Sequence, residues 1–375
     1  MIRQPSEPRK WPTRFAVPWL DIISGRDSRV SASLARFGLL LASQPYRWVV
    51  CLRNYAYDRG WLTIYPAPLP VISVGNLTVG GTGKTPTVVM LARWFRQRQI
   101  RVAILSRGYG AGADGRNDEA REMEVKLPDV PHLQHPDRLA SAQTACQELS
   151  MQLLLLDDGF QHRRLSRQLE IVLLDATNPF GFESHLPRGL LRESPRSLRR
   201  AQVVMLTRCD LVPPAEVVAI RTRVLELSPN ASWVETEHAP SQLRNAAGQT
   251  RSVDDLRGKR VFIFSAIGNP AAFAATVRRC GCTLVGEIAY DDHHRYSAQD
   301  LVQIERRIAQ LASVDWIVCT GKDLAKLEIT NLGGKPLWML DIDLRIRHGE
   351  AGLEEKLSRI LAALPKTNDS FQLPA

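Results

Sequence analysis

"NLTVGGTGKTPTVVML", running from Asn76 to Leu91, decides how the rest of this chain is read. Its centre, Gly83-Lys84-Thr85, is how a phosphate-binding loop ends, but five places before Gly83 stands Thr78, where the common pattern G-x-x-x-x-G-K-[ST] has glycine. A phosphate cradle needs a strand feeding a tight turn, backbone N–H groups converging on the anion, a helix N-terminus behind them and a lysine. The stretch supplies each part. Val71 to Val74 reads as a buried strand, Gly75, Gly80, Gly81 and Gly83 as the turn around Thr82, and Thr85 to Gln97 as a helix. Pro86 falls in the first turn of that helix, where a missing N–H costs nothing. Lys84 is placed to reach the β- and γ-phosphates and the Thr85 hydroxyl to ligate Mg²⁺, with the chain turning at Gly75 instead of at position 78.

A second signal stands downstream. "LLLLDDGFQHRR" puts Asp157 and Asp158 at the end of four leucines, where a strand-end carboxylate must sit to hold Mg²⁺ opposite the loop. Together the two motifs imply a nucleoside triphosphate and Mg²⁺. A phosphotransferase also needs a base for the acceptor hydroxyl and positive charge for the transferring group. Asp118 and Glu119 in "GRNDEA" are candidates for the base, as is the pair Asp292-His293 in "YDDHHRY". The latter reads equally as an N-terminal cap for a helix starting near Ser297. "HLPRGLLRESPRSLRR" carries Arg188, Arg192, Arg196, Arg199 and Arg200, a phosphate clamp or a solvated loop.

Around these motifs strands alternate with helices. Strands are expected at Val102 to Leu105, Leu153 to Leu156, Ile171 to Leu174 and Val203 to Leu206, with a helix around Ser141 to Leu149. This spacing implies right-handed crossovers and a mostly parallel sheet. Glu235 to Lys259 is polar and reads as a linker region. Beyond it come strands at Val261 to Ser265, Thr283 to Ala289 and Trp316 to Cys319, with helices at Ala271 to Arg279 and Ala298 to Leu311. The expected fold is therefore α/β: a phosphate-loop nucleotide-hydrolase-like domain over residues 64–234, a second, smaller α/β domain over 235–365, a cleft between them and a frayed tail over 366–375.

At 375 residues, 44% hydrophobic and 23% charged, the chain is long enough for two domains with proper cores. Its formal charge of +10 suggests an anionic partner: nucleic acid, a membrane surface or a phosphorylated small molecule. The six cysteines are scattered, only Cys280 and Cys282 lying close, and read as reduced core thiols of a cytosolic protein. Residues 1–63 form a segment apart. The first sixty hold ten Lys or Arg against four acidic residues, interleaved with Trp11, Phe15, Trp19, Phe37, Tyr46, Trp48 and Tyr55. No stretch approaches the roughly 18 apolar residues of a spanning helix. A basic, aromatic helix lying on an anionic membrane surface fits, as does a helix packed on the body of the protein.

In order, "VISVGNLTVGGTGKTP", "LSRGYG", "NDEA", "LDDGFQHR", "LPRGLLRE", "FSAIGNP" and "DDHHRY" resemble the tetraacyldisaccharide 4'-kinase family of lipid A biosynthesis, from about Leu52 to Leu327. The resemblance makes Thr78 part of the family's own loop. It implies an ATP- and Mg²⁺-dependent transfer of the γ-phosphoryl group to the 4'-hydroxyl of an acylated glucosamine disaccharide 1-phosphate, at the cytoplasmic face of the inner membrane. It also implies Asp118 as catalytic base, although the family's Gly-Asp-Glu-Pro stands here as Asn117-Asp118-Glu119-Ala120. His293 becomes the residue that orients that base, Asp157 and Asp158 the Mg²⁺ and nucleotide residues, and Glu193 a further metal-side carboxylate. Arg188 and Arg192 become substrate-side arginines. The basic N-terminal segment then serves a substrate that stays in the bilayer, and nucleic acid drops out as a partner. Two other classes are a phosphate-loop switch or metal-insertion GTPase or ATPase, suggested by "LTRCD" and "TGKD", and a scaffold with a relic nucleotide site.

Overall fold

The computed structural model describes residues 18–108, 123–291 and 294–364. Two helices come first, α1 (Pro18–Ser24) and α2 (Val30–Asp58). The strands are β1 (Val71–Asn76), β2 (Val102–Ser106), β3 (His132–Gln134), β4 (Leu153–Asp157), β5 (Leu169–Asp175), β6 (Val203–Thr207) and β7 (Ser232–Arg244). They continue as β8 (Thr250–Arg251), β9 (Arg260–Ser265), β10 (Thr283–Ala289), β11 (Trp316–Cys319), β12 (Asn331–Leu332) and β13 (Lys335–His348). Between them lie α3 (Lys84–Arg96), α4 (Arg138–Gln147), α5 (Pro214–Leu227), α6 (Pro270–Arg279), α7 (Ala298–Ala309) and α8 (Gly321–Leu327), and α9 (Glu350–Ala363) follows β13.

One sheet runs through the molecule in the order β10-β9-β11-β13-β7-β6-β5-β1-β4-β2-β3, with β8 and β12 attached to β7 and β13. Every neighbouring pair along that order is parallel except β13 with β7. β1, β2, β4 and β6 are buried at every residue, as strands covered on both faces must be, and this is why they read as unbroken apolar runs. On one face α3 contributes Val88, Val89, Leu91, Ala92 and Phe95 to a core with Ile72, Val74, Ile104 and Leu155. On the other, α4 covers Val71 and Leu154 through Ala142 and Ala145, and α5 covers Val172 and Val204 through Val217, Ile220 and Val224. Emptying the completely buried Phe95 site with alanine is expected to cost about 3–5 kcal/mol.

Chain order places the crevice. From β1 the chain crosses to β2, beyond β4, whereas from β5 it proceeds to β6 on the opposite side. The connections after β1 and β5 therefore diverge, the arrangement that leaves room for a ligand beyond the carboxyl end of β1 and its neighbours.

The linker expected over Glu235 to Lys259 is strand as far as Arg244. Its polar residues are matched across the pairing with β13: Arg345 donates to Glu237, and Gln242 Nε2 donates to Asp341 Oδ2 at 3.2 Å. β7 pairs with β6 through Glu235 and with β13 from there to Arg244, so the position 234/235 falls inside a strand. The last helix, α9, returns to the first half and buries Leu353, Leu357 and Ile360 in the same core as α3. The six cysteines are free thiols, and Cys51 is exposed rather than in the core.

Candidate active site

β1 delivers the glycine-rich loop, residues 77–83, to the crevice. Gly75 is not part of the turn, as expected from sequence, but a residue of β1 paired with Val172. A Cβ there would stand 2.5 Å from the Phe160 backbone nitrogen, so glycine is required for the "DDGF" segment to pack against the strand. Thr78 is accommodated differently. It is buried and extended beside Leu191, with Val79 N donating to Leu190 O at 2.8 Å and Arg192 N donating to Leu77 O at 2.7 Å. The first limb of the loop is thus held as a short strand pair, and the turn comes later, at Gly80 and Gly83. Gly83 has φ +89° and stands ahead of α3 without a side-chain cap, which leaves the first amides of the helix for an anion. Thr207 Oγ1 on β6 donates to Thr82 O at 3.0 Å and fixes the loop from behind.

Lys84 reaches back across the mouth of β1. Its ammonium lies 3.5 Å from Asn76 Oδ1 and 3.5 Å from Asp158 Oδ1. Arg192 Nη1 donates to both Asp158 oxygens at 2.8 Å and to Gln161 Oε1 at 3.3 Å, while Gln161 Nε2 donates to Asn76 O at 2.9 Å. Burial pushes the Asp158 carboxyl upward, but Lys84 and then Arg192 outweigh it and hold the group below its ordinary value. Asp158 is therefore an anion whose oxygens are occupied by two cations. Asp157 is buried at the end of β4 in register with Val74 of β1, on the strand next to the one that leads to Thr85, itself buried.

The other arginine-segment residues have separate neighbours. Glu193, expected on the metal side, is completely buried beneath α2. It accepts from Arg53 at 3.1 Å, Asn54 at 2.7 Å and Arg200 at 2.9 Å. Two guanidiniums and an amide thus occupy its oxygens, and it joins the arginine segment to α2. Arg188, expected to face substrate, donates to Ile23 O of α1 at 2.9 Å. Tyr46 of α2 donates to Arg192 O at 3.2 Å. The arginine segment thus joins the phosphate loop to the N-terminal helices. Asp118 lies outside the described residues, as does His293. Ser297, not the "DDHH" pair, caps α7, with Asp300 completing the capping box and His294 against it at 3.1 Å.

For Mg²⁺, the oxygen donors suited to a hard cation are the Thr85 hydroxyl and the Asp157 carboxylate. No group of three or more His, Cys, Asp or Glu among the described residues forms a metal cage. That is compatible with a cation that keeps few protein ligands and takes the rest from phosphates and water.

Three residues escape a sequence reading. Asn76 and Gln161 brace the mouth of β1, and their polarity alone does not distinguish them from turn residues. His238 on β7 points at the loop: its Nε2, buried and without a hydrogen-bond partner among the described residues, lies 3.1 Å from where a Cβ on Gly83 would stand. Burial, then Arg208, pushes its imidazole down to about 4. The guanine-reading alternatives do not survive. Asp210 of "LTRCD" is paired with Arg279 at 2.7 Å, and Asp323 of "TGKD" is completely buried as the capping acid of α8.

Residues 35–362 match the family described as tetraacyldisaccharide-1-P 4'-kinase. This chain is a member of that family. It is 38% identical over 361 residues to the tetraacyldisaccharide 4'-kinase of Anaeromyxobacter sp. (strain K), covering 91% of this chain and 95% of the relative. The tetraacyldisaccharide 4'-kinase of Bdellovibrio bacteriovorus is 34% identical over 331 residues, 84% of this chain and 96% of the relative. Among solved structures, LpxK from Aquifex aeolicus in complex with ATP is similar with a TM-score of 0.70 at 30% identity, covering 87% of this chain and 99% of that one. The mostly parallel sheet and the kinase family agree with the sequence reading.

Proposed function

We propose that the crevice at the carboxyl ends of β1 and β4 binds ATP and transfers its γ-phosphoryl group to the 4'-hydroxyl of an acylated glucosamine disaccharide 1-phosphate. The observation that carries this reading is the meeting of Lys84, Asp158 and Arg192 around the uncapped Gly83 turn. In the reaction the bond from the γ-phosphorus to the β,γ-bridging oxygen breaks, the bond to the 4'-oxygen forms, and the hydroxyl proton passes to a base. Amides of Gly80, Gly81, Thr82 and Gly83 cradle the phosphates, and Lys84 follows the terminal one. Asp158 holds Lys84 and Arg192 in place until phosphate takes over those cations. Mg²⁺, when bound, neutralises charge on the phosphoryl oxygens; Thr85 and Asp157 are the residues that hold it. Asp118 is assigned as base and His293 as the residue that orients it. The two units, 64–234 and 235–365, close on each other over the phosphate loop to exclude water.

The N-terminal helix is assigned to the membrane surface. Val30, Leu34, Phe37, Leu41, Trp48, Leu52 and Tyr55 recur at helical spacing along α2 and are all exposed. Its other side is tied to the active-site segment through Tyr46, Arg53 and Asn54. No described helix is long and apolar enough to cross a membrane. An amphipathic helix lying on anionic lipid at the cytoplasmic face of the inner membrane fits both sides, each near-surface arginine adding on the order of 1 kcal/mol.

Incubation with labelled ATP, Mg²⁺ and the acylated disaccharide 1-phosphate tests the assignment. A labelled lipid of altered mobility on a thin-layer plate is expected; nucleotide hydrolysis with no lipid product would overturn it. Asp118→Ala is expected to abolish transfer while ATP still binds, and normal transfer would remove Asp118 from the base role.

A further inference from the structure

Arg138 is the first residue of α4 and only 5% exposed, yet its guanidinium has no hydrogen bond or ion pair among the described residues. Its Nε is shut off from solvent with nothing to donate to. Other interior arginines are provided for: Arg167 donates to Glu170 and to three backbone carbonyls, and Arg200 to Glu193 and to Phe160 O. Nor does α4 need Arg138. The helix is capped by Asp137, whose side chain accepts from Leu139 N and Ala140 N, and it packs through Ala142 and Ala145.

α4 starts at Arg138 just after the chain leaves β3, which runs parallel to β2 as β2 does to β4, so the residue stands at the same, carboxyl, edge of the sheet as Asp157 at the end of β4. After burial, the charges that act on it are those of Asp158, Arg107 and Asp157. Two of these are the acids of the phosphate crevice. Its own charge acts on His162, whose imidazole is pushed down to about 4 by burial and then by Arg138, so the neighbouring ring supplies no competing positive charge near neutrality. A guanidinium nitrogen withdrawn from water with no acceptor is costly in a folded chain. It persists where an anion arrives to complete it.

We propose that Arg138 is an anion-binding residue of the crevice, whose guanidinium takes phosphate oxygens when substrate is bound. This rests on the reading of the Gly83 loop as a phosphate site. Planar paired donors match phosphate oxygens, and Arg138 comes from the helix that follows β3, whereas Lys84 and Arg192 close on Asp158 from the end of β1 and from the arginine segment. Two sources share this chemistry, the nucleotide's terminal phosphate and the acceptor's 1-phosphate.

The test uses the full-length protein as wild type, Arg138→Met and Arg138→Lys. Thermal unfolding is followed without ligand, and binding is titrated with inorganic phosphate, Mg·ADP, Mg·ATP and the acylated disaccharide 1-phosphate in detergent. Arg138→Met is expected to unfold, ligand-free, at the wild-type temperature or above, because it removes an unpaired buried charge. Its affinity for at least one probe is expected to fall at least about tenfold, with Arg138→Lys recovering part of the loss. Loss confined to Mg·ATP assigns the γ-phosphate, and loss confined to the disaccharide assigns the 1-phosphate. Unchanged affinity for all four probes in Arg138→Met overturns the proposal, as does the same result in Arg138→Lys should the methionine variant fail to fold. If wild type binds neither nucleotide, the reading of the loop itself has failed, independently of Arg138.

Discussion

The two halves of the sheet repeat one local plan, strand into loop into helix, yet use it for opposite ends. After β1 the chain reaches α3 through Gly83, which has no side chain to satisfy the helix amides, and Lys84 is turned toward an acid shared with Arg192. After β9 the chain reaches α6 through Asn269, whose side chain accepts from Ala272 N. The acid of the second half, Asp323, has its oxygens consumed by Ala266 N, Tyr296 Oη and the Thr320 amide and hydroxyl. One half leaves amides and charges to be completed by a ligand; the other completes its own. An α/β connection becomes a site when its polar groups are left for something else to satisfy.

The sharpest way to break this comparison is to delete a charge from each half. Lys84→Ala is expected to lower phosphoryl transfer by about a thousandfold, some 4 kcal/mol of transition-state stabilisation, with little change in unfolding temperature. Radiolabelled transfer paired with thermal melts would show it, and a large loss of stability would place Lys84 among structural residues. Asp323→Ala is expected to do the reverse, costing about 3 kcal/mol in urea unfolding because it orphans several buried donors, while turnover per folded molecule stays near wild type. A smaller effect concerns pH. His132, His162 and His238 are each pushed down to about 4 by burial. The unfolded chain binds protons near pH 6.5 and the folded chain only near 4, so stability is full above pH 6.5 and falls as the pH drops through that window. Replacing His238 with Gln should remove up to ~2 kcal/mol of this slope in melts between pH 7 and 4. Smallest is Asn269→Ala, at about 1 kcal/mol for a lost cap, with no change in nucleotide affinity by calorimetry.

The strand runs were legible because they lie under helices on both faces and read as continuous apolar blocks, Leu153 to Leu156 above all. β7 was not, because it carries Glu235, Glu237 and Gln242 through the seam and meets their polarity with β13. Among the candidate site residues, motif position marked Lys84 and Asp158, which the fold brings to 3.5 Å of each other, but gave no sign that Arg192 would join them. Glu193 was located by the motif, but its environment was not, since the three donors that close it come from α2 and from Arg200.

By itself the sequence determined most of the parallel strands, the family and the place of the glycine-rich loop ahead of a helix, because these follow from periodicity and from short spacings along one chain. Tertiary structure alone decided that Thr78 is bridged to Leu191, that Gly75 yields to Phe160, that α9 shares a core with α3, and that Arg138 Nε lies buried with no acceptor among the described residues. Each of those depends on which distant segments come to rest against one another. Burial and the pairing of charges belong to that meeting, and no single stretch of residues contains it.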